Sequence, residues 1–284
     1  MTIGVAMGNG LITLNHAAAV HEARRYKKGS YKIFEAKSEY AKRQSENTYW
    51  VNKIRDAIEN EKLIGFFQPI RNNKTKQIEK YECLARIDDG IELASPQRFM
   101  EACRMTGTLS LITRRIAANA FRVFSQTDYE FSLNITSNDI NLGYLEEFLL
   151  LNVKKYNIDP SRVVLELLED IVTLTESDML EQINSLRDKG FKIALDDFGV
   201  ENSNFSRLLE LHPDYLKIDG MFIKDILENE KSNLIVETIV EFCKKSGVKV
   251  IAEYIHSEAV LHRIEQMGIE YAQGYCIGAP KDHL

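Results

Sequence analysis

From residue 66 onward, short apolar segments rich in β-branched residues alternate with helical stretches, most of about ten residues or more. This alternation is typical of α/β folds with a mostly parallel sheet. The first two strand segments lie too close together for a helical crossover, so we expect them to form a hairpin. The eight strand segments are FFQPI, KYECLARI, FSLNIT, VVLELLE, KIALDDF, YLKID, VKVIAEYI and YAQGYCIG.

Eight strands with mostly helical crossovers predict a (β/α)8 barrel with one antiparallel strand. Three of the helical stretches end in a glycine close to the next strand, at Gly190, Gly247 and Gly268, which is a common way for a helix to end. A doubly wound open sheet is the alternative, because the periodicity is the same in both folds.

The composition is that of a soluble globular protein and excludes several partner classes. The 284 residues carry a net charge of −6, so no global basic field attracts a DNA or RNA polymer or an anionic membrane. The four cysteines are dispersed without a CxxC pair, which argues against disulfides and structural zinc and favours the cytoplasm. No apolar run approaches a membrane span, although a longer parent protein could be anchored in a membrane.

Two regions are predicted along the chain, at residues 1–45 and 46–284. The first contains two short strand segments, TIGVAMG and KIFE, on either side of an alanine-rich helical stretch, and it is too small for a core of its own. A charged stretch follows, with Trp50, Ile54 and Ile58 at helical spacing. We interpret that stretch as one or two exposed helices that lead into the main domain.

Nearly every strand segment carries a polar residue in its C-terminal half. Any single one could be an outward side chain or a local cap, but so many at equivalent positions are expected to meet at one face of a barrel, where active sites lie. The residues are Gln68, Glu82, Asn134, Glu166, Glu169, Asp196, Asp197, Lys217, Asp219, Glu253 and Gln273.

Such a concentration of buried carboxylates requires cations, and oxygen ligands without histidine or cysteine favour Mg²⁺ or Mn²⁺. A first site is predicted from Glu82, Asn134, Glu166 and Asp196, with Asp197 beside it for a second ion. Two such ions suit phosphodiester hydrolysis. In that chemistry, Lys217 orients the water or neutralises developing charge, and Arg86 holds a phosphate oxygen.

The region from about Trp50 to His283 resembles the EAL domain, the phosphodiesterase of the bacterial second messenger cyclic di-GMP. The signature tripeptide is Glu82-Cys83-Leu84 within YECLAR, and the further matches in order are SLNITS, LELLE, ALDDFG, LKID, IAEYI and YAQGYCIGAP. The resemblance implies a (β/α)8 barrel with one antiparallel strand. It also implies opening of cyclic di-GMP to linear pGpG with two Mg²⁺ or Mn²⁺ ions, inhibition by Ca²⁺, and a homodimer formed through the barrel.

The resemblance implies three groups of site residues. The metal ligands are Glu82, Asn134, Glu166, Asp196 and Asp197. The residues expected to activate or orient the water, or to hold the loop after the aspartate pair, are Lys217, Glu253 and Glu169. The residues expected to contact the substrate are Gln68, Arg86 and Gln273.

Residues 1–45 resemble the C-terminal tail of a GGDEF (diguanylate cyclase) domain. TIGVAMG and the alanine-rich stretch before KIF fit loosely to the last strands and helix of that fold. The GGDEF signature is absent from this sequence, so cyclase activity is not expected of it.

Several positions depart from the EAL pattern. Cys83 replaces alanine, Tyr254 replaces glycine and His256 replaces glutamate. In the loop after the aspartate pair, Val200-Glu201-Asn202 replaces Thr-Gly-Tyr, which removes a hydroxyl available to Glu169 and a residue that adopts positive φ freely.

Three functions therefore remain open from the sequence. The complete acidic set and Lys217 favour an active phosphodiesterase. The altered loop favours a non-catalytic cyclic di-GMP receptor or regulatory module. A scaffold that binds neither metal nor nucleotide is disfavoured, because unpaired carboxylates would be a standing electrostatic cost.

Overall fold

The computed structural model describes residues 3–6, 31–34, 39–168, 177–199 and 210–284, with side chains at 46–168, 179–199 and 210–284. The strands are β1 Ile3–Ala6, β2 Tyr31–Phe34, β3 Leu63–Asn72, β4 Ile78–Asp88, β5 Leu93–Ala94, β6 Glu130–Ile135, β7 Val163–Leu168, β8 Lys192–Phe198, β9 Tyr215–Ile218, β10 Lys249–Ala252 and β11 Tyr271–Gln273. The α-helices are α1 Glu39–Glu59, α2 Pro96–Thr106, α3 Leu109–Phe124, α4 Ser137–Asn141, α5 Leu145–Tyr156, α6 Ser177–Asp188, α7 Gly220–Ile223, α8 Glu230–Ser246 and α9 Glu258–Gln266, and a 3₁₀ turn spans Pro160–Arg162.

Eight of these strands close into a barrel. β3 pairs antiparallel with both β4 and β11, and every pairing from β4 through β6 to β11 is parallel, so the ring is complete. The two-residue strand β5 pairs with β4 as an extra strand. The predicted (β/α)8 barrel with one antiparallel strand is confirmed, and the open sheet is excluded by the β3–β4 and β3–β11 pairings.

The barrel interior is built from alternate residues of each strand. Lys80 and Glu82 lie two residues apart on β4, and Tyr215 and Lys217 lie two apart on β9, so both members of each pair share a face of the strand. All four are buried. The second residue of each pair lies nearer the carboxyl ends of the parallel strands, where the candidate site is built.

The helix α1 differs from the exposed connector that the sequence predicts. One helix spans Glu39–Glu59, across the predicted boundary after residue 45, and the side chains of Trp50 and Ile54 are 3% and 2% exposed. Trp50 packs near Phe99 of α2, with ring centroids 6.1 Å apart. Residues at i and i+4 share a helix face, so this face of α1 packs on the barrel's helical layer and belongs to the fold.

The two short strands predicted in residues 1–45 are present and pair in parallel. Most of the remainder of that region, including the alanine-rich stretch, lies outside the described residues, so its likeness to a GGDEF tail stays a prediction. Within the described part of the chain, the longest helices are too polar or too short to cross a membrane.

Candidate active site

Lys217 on β9 lies at the centre of a cluster of acidic side chains from four other strands or strand ends. Its ammonium lies 2.9 Å from Glu166 Oε2 on β7 and 2.8 Å from Glu253 Oε1, directly after β10. It lies 3.3 Å from Glu82 Oε2 on β4 and 3.2 Å from Asp196 Oδ1 on β8. One cation therefore serves four carboxylates, and its side chain is only 1% exposed.

Neutral amides hold Glu82 in place. Asn134 Nδ2 donates to Glu82 Oε1 over 3.0 Å, and Gln273 Nε2 donates to Glu82 Oε2 over 2.6 Å. Gln273 Nε2 also donates to Gln68 Oε1 at 3.1 Å. Gln68 and Glu82 are opposite each other in the β3–β4 pairing, so the barrel closure itself brings them together.

The two aspartates at the end of β8 differ in backbone conformation and in their contacts. Asp196 contacts Lys217, whereas Asp197 has a φ of 55°, in the left-handed region that few residues other than glycine adopt. The Asp197 N–H donates to Asp196 Oδ1 over 3.0 Å. This turn places one carboxylate oxygen from each of Asp196, Asp197 and Glu253 within 4.8 Å of one another. The backbone thus gathers acids that would otherwise point to opposite faces of a strand.

Several acids of the cluster have raised pKa values, because they are buried close to other carboxylates. Burial, together with the neighbouring Glu82 and Asp196, raises the pKa of Glu166 to about 8 against the pull of Lys217. Burial, with Asp196 and Asp219, raises the pKa of Asp197 to about 6. Burial and neighbouring acids also raise the pKa values of Asp196 and Glu253.

Glu82 and Lys217 are the charged members that the cluster stabilises. Burial by itself would raise the pKa of Glu82, but Lys217, Gln273 and Asn134 together lower it. Burial would lower the pKa of Lys217, yet the surrounding carboxylates raise it well above its ordinary range. The site is therefore deficient in positive charge.

The donor set fits hard divalent cations. The acids outnumber the single ammonium, and the trio Asp196, Asp197 and Glu253 is close enough to share an ion. Gln273 Oε1 is a buried oxygen with no hydrogen-bond partner among the described residues. Carboxylate and amide oxygens are the ligands that Mg²⁺ and Mn²⁺ prefer, so the residues present fit such ions.

A cavity of about 830 Å³ opens above the acidic cluster. Glu82, Glu253 and Gln273 line its floor, and Arg86 extends into the same cavity from β4. Arg86 Nη1 donates to the backbone oxygen of Ala85 over 2.8 Å. Arg86 and Lys224 both line the cavity, and the guanidinium of Arg86 has the geometry to hold an anionic ligand through two parallel hydrogen bonds.

The structure brings together most of the residues predicted for the site. Glu82, Asn134, Glu166, Asp196, Lys217, Glu253 and Gln273 form one network, with Gln68 bonded to Gln273 and Asp197 beside Asp196. Arg86 lines the cavity without a bond to that network. Glu169 and the loop Val200-Glu201-Asn202 lie outside the described residues, so their predicted roles stay predictions.

Two further residues line the site: Asp219, which the sequence places among the polar strand-end residues without a specific role, and Tyr254, which stands where the EAL pattern has glycine. Asp219 lines the cavity, raises the pKa of Asp197 and caps α7 by accepting the Met221 N–H at 2.6 Å. Tyr254 also lines the cavity, with 53% of its side chain exposed. Their positions in the sequence indicate the site, because both residues lie just after a barrel strand. Asp219 directly follows β9, two residues after Lys217, and Tyr254 directly follows Glu253 at the end of β10.

Two curated relatives align with most of the chain. It is 29% identical over 256 residues to the cyclic di-GMP phosphodiesterase PdeB of Shewanella oneidensis, covering 88% of this chain and 30% of that protein. It is 29% identical over 237 residues to the probable cyclic di-GMP phosphodiesterase PdeA of Escherichia coli K12, covering 81% of this chain and 32% of that protein. The chain thus spans about a third of the length of these relatives.

Solved structures share the barrel. A complex of the phosphodiesterase PaMucR with c-di-GMP has a TM-score of 0.78 at 23% identity, covering 82% of this chain and 97% of that one. A manganese and cyclic di-GMP complex of Klebsiella pneumoniae BlrP1 has a TM-score of 0.70 at 23% identity, covering 78% of this chain and 56% of that one. At these identities the likeness supports the fold.

The family assignment rests on the sequence as a whole. Residues 51–280 match the EAL domain family, which is most of the 284-residue chain. The matched region contains the complete barrel and every residue of the acidic network described above. The chain therefore belongs to the EAL domain family.

Proposed function

We propose that this protein hydrolyses cyclic di-GMP to linear pGpG with the help of bound Mg²⁺ or Mn²⁺. The observation that carries the proposal is the cluster of four carboxylates around Lys217, which lies under a cavity lined by Arg86. Curated relatives that cover most of the chain include cyclic di-GMP phosphodiesterases, which supports the same substrate.

We assign the metal ligands to Glu82, Asn134, Glu166, Asp196 and Asp197, with Glu253 close enough to Asp196 and Asp197 to share an ion. When bound, divalent ions supply polarisation of the phosphate and a lowered pKa of a bound water. Burial, together with neighbouring acids, raises the pKa values of Asp196, Asp197 and Glu253, so added positive charge favours their ionised forms.

The remaining residues position the substrate and manage charge and protons. Arg86 is placed to hold a phosphate oxygen, with Gln68 and Gln273 at the floor of the same cavity. Lys217 neutralises negative charge that develops beside Glu82 and Glu166. Glu253, which faces the cavity and contacts Lys217, is the carboxylate positioned to accept a proton from the attacking water.

The test is conversion of cyclic di-GMP by purified protein in Mg²⁺ or Mn²⁺, followed by chromatography of pGpG, with Glu82→Ala in parallel. We expect pGpG from the wild-type protein and almost none from Glu82→Ala. Binding is titrated in Ca²⁺, which we expect to suppress turnover. Equal turnover by both proteins would overturn the proposed role of the acidic cluster.

A receptor without catalysis is the second candidate. It is favoured by Val200-Glu201-Asn202, where the loop after the aspartate pair departs from the family sequence. It predicts tight binding of cyclic di-GMP in Ca²⁺ and no pGpG in Mg²⁺ or Mn²⁺. Restoring Thr-Gly-Tyr at these three positions should then produce turnover, whereas the phosphodiesterase proposal predicts turnover without that change.

We also propose a homodimer formed through the barrel, as the family resemblance implies. Sedimentation velocity of the purified chain over a range of concentrations tests it. A single species with the mass of one chain at every concentration would contradict it.

A further inference from the structure

Tyr254 is an aromatic residue in a conformation that few bulky side chains adopt. Its φ is 55°, in the left-handed region where glycine is at home. Its Cβ lies so close to Gly220 that a Cβ added to Gly220 would be 2.6 Å from it. A tyrosine held in such a position, with 53% of its side chain exposed, gains little from packing in the core.

The backbone around Tyr254 is fixed by the last barrel strand. Ile255 is fully buried, its N–H donates to Gln273 O over 2.9 Å, and its carbonyl accepts the Cys276 N–H at 2.9 Å. Gly274 approaches the Ile255 backbone too closely to accommodate a Cβ. The direction of the Tyr254 Cα–Cβ bond is therefore set before any ligand arrives, which lowers the entropic cost of using the residue for binding.

Aromatic groups gather at the mouth of the cavity. The rings of Tyr254 and His256 are 5.7 Å apart and tilted by 53°, and both residues line the cavity together with Tyr275. Tyr254 is 53% exposed, so its ring is accessible to a ligand in the cavity. Flat, exposed aromatic faces of this kind bind nucleobases by stacking.

We propose that Tyr254, supported by His256, forms a stacking surface for one purine base of the substrate and makes the site prefer purine over pyrimidine cyclic dinucleotides. This inference rests on the proposed function, because the phosphate must be held below at Arg86 and the acidic cluster. A purine presents a larger ring surface than a pyrimidine, so a stacking surface discriminates between them without hydrogen bonds to the base edge.

The test compares binding of cyclic di-GMP and cyclic di-UMP in Ca²⁺ for the wild-type protein, Tyr254→Phe and Tyr254→Gly. Wild-type protein and Tyr254→Phe should both prefer cyclic di-GMP, since both retain the ring. Tyr254→Gly should bind cyclic di-GMP about tenfold or more weakly, with a smaller loss for cyclic di-UMP, so that the preference falls.

Thermal unfolding distinguishes this role from a structural one. Tyr254→Gly should melt at the wild-type temperature or above it, because glycine accepts positive φ without strain. An unchanged preference between the two dinucleotides in Tyr254→Gly would overturn the stacking role while leaving the proposed function intact. A wild-type protein that binds neither dinucleotide would overturn the proposed function and the stacking role with it.

Discussion

At the scale of single residues, the site is set by the ratio of one ammonium to four carboxylates. The acids are buried close to one another. Burial and the repulsion from neighbouring carboxylates therefore raise the pKa values of Glu166, Asp196 and Glu253. An acid whose pKa is raised in the folded state costs stability when it is ionised. Removing one of these acids should therefore lower the catalytic rate while it keeps or raises the stability of the metal-free protein.

Asp196→Asn tests this opposition. Without metal, at pH 7.5 in EDTA, we expect the variant to be as stable as wild type or up to about 1 kcal/mol more stable, because one repelling charge is gone. Formation of pGpG should fall by at least about 100-fold. Thermal melts and chromatography of the same preparations measure both. If the free energy of unfolding fell by as much as the activation free energy rose, Asp196 would be chiefly structural.

The contact between Gly220 and Tyr254 gives a second prediction at this scale. Gly220→Ala should lower the free energy of unfolding by about 1–3 kcal/mol, because the added Cβ meets the Tyr254 Cβ at 2.6 Å. In a Tyr254→Gly background the same substitution should cost much less. Urea unfolding of the four proteins in this cycle gives the coupling energy, and additive effects would exclude the contact as the cause.

The residues of the site could largely be predicted from the sequence, but their arrangement could not. Glu82, Glu166 and Lys217 lie in the C-terminal halves of three predicted strand segments, and the carboxyl ends of parallel strands meet at one face of a barrel. The central position of Lys217 among the acids depends on how the barrel closes, and the turn at Asp197 depends on a single positive φ. Neither the position of Lys217 nor the turn at Asp197 can be predicted from the spacing of residues along one strand.

At the scale of secondary-structure elements, the face of α1 that carries Trp50 and Ile54 is buried and packs against α2. Trp50→Ala should lower the free energy of unfolding by about 3–5 kcal/mol, since its ring is buried beside Phe99 and has the Arg98 guanidinium 5.4 Å from its centre. Glu46→Ala, an exposed position on the same helix, is the control and should stay within about 0.5 kcal/mol of wild type. If Trp50→Ala changed the free energy of unfolding as little as Glu46→Ala does, α1 would be an exposed connector.

At the other end of the strands, Lys80 on β4 is buried among aromatic and charged groups. Its ammonium lies 2.9 Å from Glu130 Oε1, 2.7 Å from the Tyr215 hydroxyl and 4.1 Å from the centre of the Tyr215 ring. Burial lowers the pKa of Lys80 from 10.5 to about 8 despite the attraction of Glu130. In the unfolded chain the lysine keeps its proton up to about pH 10.5.

Between these two pKa values the unfolded state binds more protons, so this residue makes stability rise with pH. We predict that the free energy of unfolding of wild type, minus that of Lys80→Met, increases between pH 8 and pH 10 by up to about 1.4 kcal/mol per pH unit. Urea unfolding at three pH values measures it. Lys245→Met, at an exposed position, is the control, and a flat difference for Lys80→Met would contradict the depressed pKa.

Prediction of the elements from sequence was strongest where they are long. The eight barrel strands follow the apolar segments closely, because a strand buried on both faces needs a continuous apolar run. The short helices α4 and α7 were not predicted, since five and four residues carry too little periodicity to detect. The burial of one face of α1 was missed because the stretch is rich in charged residues, and only its spacing of Trp50 and Ile54 indicated a partner.

At the scale of the whole molecule, barrel closure concentrates the charge of an acidic chain in one place. The strands β4, β7 and β8 and the end of β10, which are distant in sequence, each deliver one acid to Lys217. The alternation of strands and helices predicts an α/β fold but fits an open sheet as well as a barrel, and the pairing of β3 with both β4 and β11 decides for the closed barrel. The same closure fixes β11 against β3, which places Gln273 beside Gln68 and Glu82.

We propose that the acidic cluster around Lys217, once supplied with divalent cations, opens cyclic di-GMP. The most direct measurement is a titration of metal-stripped protein with Mn²⁺ or Mg²⁺ while pGpG is followed by chromatography, with Glu82→Gln as the matched variant. We predict no product without metal, product that rises with added metal in the wild-type protein, and almost none in Glu82→Gln. Product formed without metal, or formed equally by Glu82→Gln, would contradict a metal-dependent role for the acidic cluster.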